Sequence, residues 1–352
     1  MKKIDYKLLV FIILISLFGI LMIYSSSSIW AEYKYHDSFR YLKLQSIFFI
    51  ISFIVMIIVS KIDYTYYLKK ANILLIICFL FLILVLIPGF GVVRNGSRSW
   101  FKIMGIGLQP SEFMKLALII YTSKCLSINK KIIPVIIISL LSFILILLEP
   151  DLGTGLIILV TVMGLLFVFG LNIKFFIRLF IIGILGLSGL IIVAPYRLKR
   201  ITSFLDPFSD PLGTGFQAVQ SFFAIGPGGL FGLGLFNSIQ KQFYLPEPQT
   251  DFIFSIICEE FGIFGCLLVV SLFILIIYRI IIISLKCNDL FAKYLSFGIV
   301  FQLSIQIILN LGVVTGLLPV TGVTLPFLSY GGSSLLITMI SMGIVLNISK
   351  YN

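Results

Sequence analysis

Charge is what this sequence has least of. Only 11% of its 352 residues are charged, and 14 of them are acidic. The hydrophobic share is 60% and the mean hydropathy +1.16, a balance no soluble globular domain shows. Histidine is nearly missing: His36 stands alone in a polar loop, so a zinc site or a Ser-His-Asp triad finds no support. The five cysteines, Cys78, Cys125, Cys258, Cys266 and Cys287, form no C-x-x-C pair and sit in or beside apolar runs, as small buried hydrophobes do. There is no Walker or dinucleotide fingerprint, so nothing suggests nucleotide use. Alternation of polar and apolar residues is also absent, which excludes a transmembrane β-barrel. The net charge of +12 reads as basic loops facing anionic lipid, with no nucleic acid as partner.

What is present is a series of continuous apolar runs, and lipid admits such runs as helices. The expected fold class is all-α, a polytopic integral membrane protein in one domain over 1–352. Spans are expected near 8–24, 44–60, 71–88, 111–127, 132–148, 152–171, 175–194, 252–278, 294–315 and 328–348. Each is close to the ~20 residues that cross ~30 Å of hydrocarbon. Met1–Lys7 carries three lysines ahead of the first run, which reads as an uncleaved first helix. With both termini cytoplasmic, 15 of the 26 basic residues fall inside, as the positive-inside rule asks. Of the acids, Asp5, Asp63 and Asp289 alone are inside, so the machinery faces outward. One long outer loop, about 195–251, joins the seventh and eighth spans. Within it Phe216–Ile225 is apolar but too short to span, suited to the interface or to re-entry against protein.

Several polar clusters gather on the outer side. Arg94, Arg98 and Lys102 surround Trp100 in RNGSRSWFK, a set able to clamp a phosphate or pyrophosphate; headgroup contact and an aromatic anchor explain it equally. In QPSEFMK, Glu112 and Lys115 are three apart and can pair, or Lys115 can face an anionic substrate group. In EPDLGTG, Asp151 can cap the sixth span, or with Glu149 hold a divalent ion such as Mg²⁺ or Mn²⁺. Tyr244–Gly262, YLPEPQTDFIFSIICEEFG, holds Glu247, Asp251, Glu259 and Glu260. Thr250 or Asp251 can cap the eighth span; the sharper reading makes Asp251 the centre of the chemistry. Glu259 lies ~12 Å deeper on a straight helix and roughly 80° round it, so Glu259 and Glu260 cannot both face the partner of Asp251, and at least one is expected to be structural, with Lys115 or Arg98 as candidate partners. TGVTLPFLSYGGSS, with Ser333, opens the last span, where glycines permit close packing and hydroxyls bind substrate or neighbouring helices.

Taken together, NGSRSW, QPSEFMKLALI, EPDLGTG, AIGPGGLFGLGLFNSIQKQFYLPEPQTDFIF and GLLPVTGVTLPFLSYGGSS closely resemble the SEDS family of bacterial envelope proteins (shape, elongation, division and sporulation) over nearly the whole chain. The block NSIQKQFYLPEPQTDFIF looks more like FtsW and SpoVE than RodA, whose matching block has Arg-His where Pro248-Gln249 stand. Ser99 replaces a second arginine that FtsW-like members often carry. The resemblance implies ten transmembrane helices in the bacterial inner membrane and a large outer loop before the eighth. It implies polymerisation of lipid II into peptidoglycan glycan strands for septal synthesis in cell division, with Asp251 as the essential acid. Trp100, Lys115 and Asp151 match other family positions. The implied partners are lipid II, the nascent glycan strand, a class B penicillin-binding protein as transpeptidase, and other divisome proteins. A lipid II flippase and a division scaffold are the alternative readings. The residues Arg94, Arg98, Trp100, Lys102, Glu112, Lys115, Asp151, Glu259 and Ser333 are the expected substrate contacts, and Asp151 the expected metal ligand.

Overall fold

In a computed structural model, described for residues 4–351 except 95, 104–105, 194–198 and 200–201, the chain is a bundle of helices. Helices α1 (Tyr6–Tyr35), α2 (Arg40–Lys61), α3 (Tyr64–Leu86), α4 (Pro110–Lys124), α5 (Ile133–Leu148), α6 (Leu152–Phe169) and α7 (Ile173–Val193) come first. The outer loop contributes a short α8 (Phe216–Ile225), and α9 (Ile253–Lys286), α10 (Leu290–Val314) and α11 (Gly332–Ile348) complete the chain. Among the described residues, seven helices are long and apolar enough to cross a membrane: α1, α2, α3, α6, α9, α10 and α11. The other three expected spans coincide with α5, α7, and α4 continued by the π-helical turn Cys125–Asn129. The junction of α7 with the outer loop lies outside the described residues.

One departure from an all-helical reading stands between α3 and α4. Here β1 (Val92–Arg94), β2 (Ser97–Ile103) and β3 (Ile106–Leu108) form a small antiparallel sheet in the order β1-β2-β3. Arg94 pairs with Ser97 across a turn containing Gly96 at φ 81°. An Asn-Gly pair between short β-prone runs is the strongest local hairpin signal, and Asn95-Gly96 supplies it.

A second departure is in α9, which is not one continuous helix. Gly262 adopts φ 60° and ψ −153°, breaking the helix where Glu259 and Glu260 stand. A break in apolar surroundings frees backbone groups that must find partners. The Gly-rich stretch of the outer loop provides them. Leu233 and Gly234 donate their N–H groups to the carbonyls of Glu259 (2.9 Å) and Glu260 (3.0 Å). In return Ile263 and Phe264 donate to the carbonyls of Gly229 (3.0 Å) and Leu230 (3.2 Å). The approach is close enough that a Cβ on Gly262 would meet the backbone of Leu230 and Gly232 at 2.6 Å. Helix α8 seals the same region: the Ser221 hydroxyl, fully buried, lies 2.8 Å from both the Val314 carbonyl and the Ser255 hydroxyl. The short apolar segment therefore packs against protein.

The two glutamates at the break are locked into this loop, and neither meets Lys115 or Arg98. Glu259 is fully buried and accepts from the Ser238 hydroxyl (2.6 Å) and the N–H groups of Ile239 (2.8 Å) and Gln240 (3.3 Å). Glu260 pairs with Lys241 (3.0 Å) and accepts from Ser25 of α1 (2.6 Å). Lys241 and Glu260 are both buried, so removing one partner strands a charge, which typically costs about 3–5 kcal/mol. K241M is expected to lower the thermal unfolding midpoint in detergent strongly, and K241M/E260Q to recover most of the loss. A double variant no more stable than K241M would remove the ion pair from this account.

Candidate functional site

Four chain segments converge beside the N-terminal ends of α4, α6 and α11. In β2 the two-residue period places Arg98, Trp100 and Lys102 on one face and Ser97 and Ser99 on the other. Ser99 is buried, 3.1 Å from the Ser97 hydroxyl, which in turn donates to the Glu149 carbonyl. The sheet is thus sewn to the α5–α6 turn through its serine face, leaving the cation and tryptophan face opposite. An arginine at position 99 would add no charge to that face. Arg98 also donates to the Leu86 carbonyl at 3.4 Å, and Lys102 is exposed. Arg94 lies in β1, but its side chain is outside the described residues.

Pro110 opens α4 with its missing N–H at a position where no helical bond is lost. One turn in, Lys115 is 2% exposed and pairs with Glu112 at 2.9 Å. A lone lysine there would be costly, so the pair is what permits it. Lys115 also donates to the Gln306 side-chain oxygen of α10 at 3.0 Å. Asp151 caps α6, accepting from the Thr154 N–H at 3.0 Å, and its second oxygen accepts from the Gln109 amide at 3.1 Å. Gln109 reaches α11 as well: its N–H donates to Ser333 (3.2 Å), whose hydroxyl donates to the Gly107 carbonyl (3.1 Å). Ser333 therefore joins β3 to the start of α11.

Asp251 does not cap a helix. The helix begins two residues later, its N-cap is Phe252, and no side chain caps it. Asp251 is instead partly buried on irregular backbone at the end of the outer loop. Its carboxylate lies 2.8 Å from the Thr250 hydroxyl. Its carbonyl accepts from the Asn310 amide of α10 at 2.7 Å, and Asn310 donates also to the Val323 carbonyl at 2.8 Å. The neighbouring Gln249 carbonyl accepts from the Tyr330 N–H at 2.8 Å. The stretch is anchored by its main chain to α10 and to the segment before α11.

The electrostatics set Asp151 and Glu149 apart. Burial raises the Asp151 carboxyl above its usual range; its bonds from Thr154 and the nearby Lys115 charge pull it back, and Glu112 pushes it further up. The Glu149 side chain is fully buried, and among the described residues neither of its oxygens has a hydrogen-bond partner. Burial, then the Asp151 charge, pushes it up to about 9. A protonated Glu149 is a poor metal ligand, and both Asp151 oxygens are already accepting bonds. Among the described residues no group of three or more His, Cys, Asp or Glu could hold a metal ion. The donor set does not fit a resident Mg²⁺ or Mn²⁺, and no step is derived through one.

The structure brings together Glu112, Lys115, Asp151 and Ser333, with Asp251 joined to them through α10 and the segment before α11, while Arg98, Trp100 and Lys102 share the opposite face of the adjoining β2. Glu259 stays apart in the loop anchor. Gln109, Gln306 and Asn310 belong to the site without having been expected there. Their signal was in the sequence: Gln302, Gln306 and Asn310 recur every four residues within an apolar span.

The FtsW/RodA/SpoVE model, described as "Cell cycle protein", matches residues 6–352. The chain is similar to Stage V sporulation protein E of Bacillus subtilis (strain 168), at 48% identity over 99% of this chain and 97% of that one. It is similar to the probable peptidoglycan glycosyltransferase FtsW of Geobacter sp. (strain M18), at 39% identity over 98% and 96%. Among solved structures it resembles a chain from a study of how a peptidoglycan synthase complex coordinates polymerization and crosslinking. That likeness has a TM-score of 0.82 and 31% identity over 98% and 97% of the two chains. The rod shape determining protein RodA of Thermus thermophilus gives 0.73 and 27% over 98% and 96%.

The raised Glu149 carboxyl carries a prediction whose sign is fixed. Because the folded chain holds that proton between about pH 4.5 and pH 9 and the unfolded chain does not, Glu149 costs stability increasingly across that window. E149Q lacks the cost. Its unfolding midpoint is expected to rise above that of the wild type as pH increases from 5 to 9, with no further gain beyond. A gap that stays flat from pH 5 to pH 9 would mean Glu149 is ionised in the folded protein.

Proposed function

The chain belongs to the FtsW/RodA/SpoVE family of cell cycle proteins, and we propose that its outer-face cluster polymerises lipid II into peptidoglycan glycan strands. The observation that carries this reading is Asp251. The residue is partly exposed, its main chain is bonded to α10 through Asn310 and the Thr250 hydroxyl stands 2.8 Å from its carboxylate, within a network that also holds Lys115 and Asp151. The family match and the FtsW relatives named as peptidoglycan glycosyltransferases support it.

In the proposed reaction Asp251 takes the proton from the 4-hydroxyl of the acceptor N-acetylglucosamine. That oxygen bonds to the donor's anomeric carbon as its bond to pyrophosphate breaks, and the electron pair leaves with undecaprenyl pyrophosphate. An α-linked donor giving a β-linked product requires one inversion, so one base suffices and no glycosyl-enzyme intermediate is needed. The leaving group gathers negative charge. Arg98 and Lys102, on one face of β2 with Trp100, are suited to meet it, with Arg94 from the paired strand. Lys115 is buried beneath and neutralised in part by Glu112, so its charge acts from below the site.

The cluster is proposed to lie on the extracytoplasmic side of the bacterial membrane, a reading supported by the excess of basic residues in the loops assigned to the other side. A class B penicillin-binding protein is the proposed partner, consistent with the likeness to a peptidoglycan synthase complex chain. Septal synthesis in division is the proposed setting. The 48% identity to Stage V sporulation protein E favours a sporulation role as the second reading. A deletion strain that septates normally but forms defective spores would select it.

The test is polymerisation of lipid II in proteoliposomes, with and without the transpeptidase partner. D251N is expected to lose at least a hundredfold in rate, since a positioned base typically contributes 10²–10⁴. Lipid translocation without polymer from wild type and D251N alike would favour a flippase. Binding to the partner with neither activity would favour a scaffold.

A further inference from the structure

The polar face of α10 links both sides of the site through two adjacent carbonyls. Gln306 accepts from Lys115 at 3.0 Å and donates its amide to the Thr324 carbonyl at 3.0 Å. One turn further, Asn310 donates to the Asp251 carbonyl at 2.7 Å and to the Val323 carbonyl at 2.8 Å. Both carboxamides are buried, at 1% exposure each. Residues four apart on a helix share a face, so the two side chains stand one above the other. Val323 and Thr324 lie in a stretch without helix or strand just before α11, so their carbonyls have no ladder of their own.

We propose that Gln306 and Asn310 are positioning residues that form one clasp, fixing Lys115 and Asp251 relative to each other through the Val323–Thr324 backbone. The inference rests on the reading of Asp251 as base and deepens it. A carboxamide is the side chain this duty asks for. It can donate two bonds at once, as Asn310 does, or accept a lysine proton while donating elsewhere, as Gln306 does. A carboxylate at 310 would present acceptors to two carbonyl acceptors and lose both bonds. A buried polar residue in an apolar span costs stability unless its groups find partners, and both amides here donate to the loops that carry the site. Base catalysis needs the carboxylate held within hydrogen-bond reach of the proton it takes, so a small displacement of residue 251 falls on the chemical step.

The clasp predicts different kinetic signatures for its two halves. N310D, isosteric but unable to donate, is expected to lower kcat of lipid II polymerisation ten- to a hundredfold with KM within threefold of wild type. Q306E keeps an acceptor for Lys115 but loses the donation to Thr324, and Q306M loses both; KM is expected to rise fivefold or more in Q306M and less in Q306E. Unfolding midpoints and lipid II binding are measured on each variant, and D251N is run beside them. Rates within twofold of wild type in N310D, with D251N inactive, would remove the clasp and leave the base. Loss of kcat, lipid II binding and thermal midpoint together in N310D would show a structural residue only. A fully active D251N would overturn the reading of the base itself.

Discussion

The break at Gly262 is the constraint on which the placement of the long loop depends. A helix interrupted in an apolar bundle exposes carbonyls and N–H groups that neither lipid nor side chains of leucine and isoleucine can satisfy. The Gly-rich loop of residues 229–234 answers four of them, two carbonyls and two N–H groups. That exchange requires backbone to approach backbone, which is why glycine stands at both 232 and 262 with positive φ. Once made, it fixes the long outer loop onto α9, and Glu259, Glu260 and Lys241 close the join. The segment carrying Asp251 then enters α9 from a loop pinned at its far end.

The hydropathy runs predicted the helices well because a spanning segment has few structural options, and each expected span coincides with a helix. The failures have common physical causes. Gly262 stands within a continuous apolar run, where a tolerated helical glycine and a helix break look alike in sequence; only the loop 30 residues earlier reveals which it is. Capping by Thr250 or Asp251 was the alternative to a chemical role because caps favour such residues, but the helix starts at Ile253 and no side chain caps it. The partners of Glu259 and Glu260 could not be guessed from one-dimensional spacing, since Lys241 and Ser238 reach them by the fold-back of the loop. The hairpin before α4 was not expected, although Asn95-Gly96 and its flanking runs carry its signal.

The candidate site was half visible for a related reason. Charged residues in a sequence with so few of them draw attention, and Arg98, Lys115, Asp151 and Asp251 do belong to one region. Neutral amides do not draw it. Gln109, Gln306 and Asn310 carry no charge, yet they make most of the bonds that bring the charged groups together. In an apolar interior this division of labour is physically sensible. A carboxamide links segments at a smaller desolvation cost than an ion, and it can donate and accept at once.

How the acids are used then separates Asp251 from its neighbours. Glu112 is held by Lys115, Glu260 by Lys241 and Ser25, and Glu259 by Ser238 and two backbone N–H groups. Asp151 is occupied by Thr154 and Gln109. Glu149 is sealed from solvent and kept protonated by burial. Asp251 differs in that its main chain is bonded to α10, through Asn310, at a residue that is itself partly exposed, with Thr250 beside its carboxylate. A base must be both fixed in place and reachable by its substrate, and a bonded main chain at a partly exposed residue serves both demands.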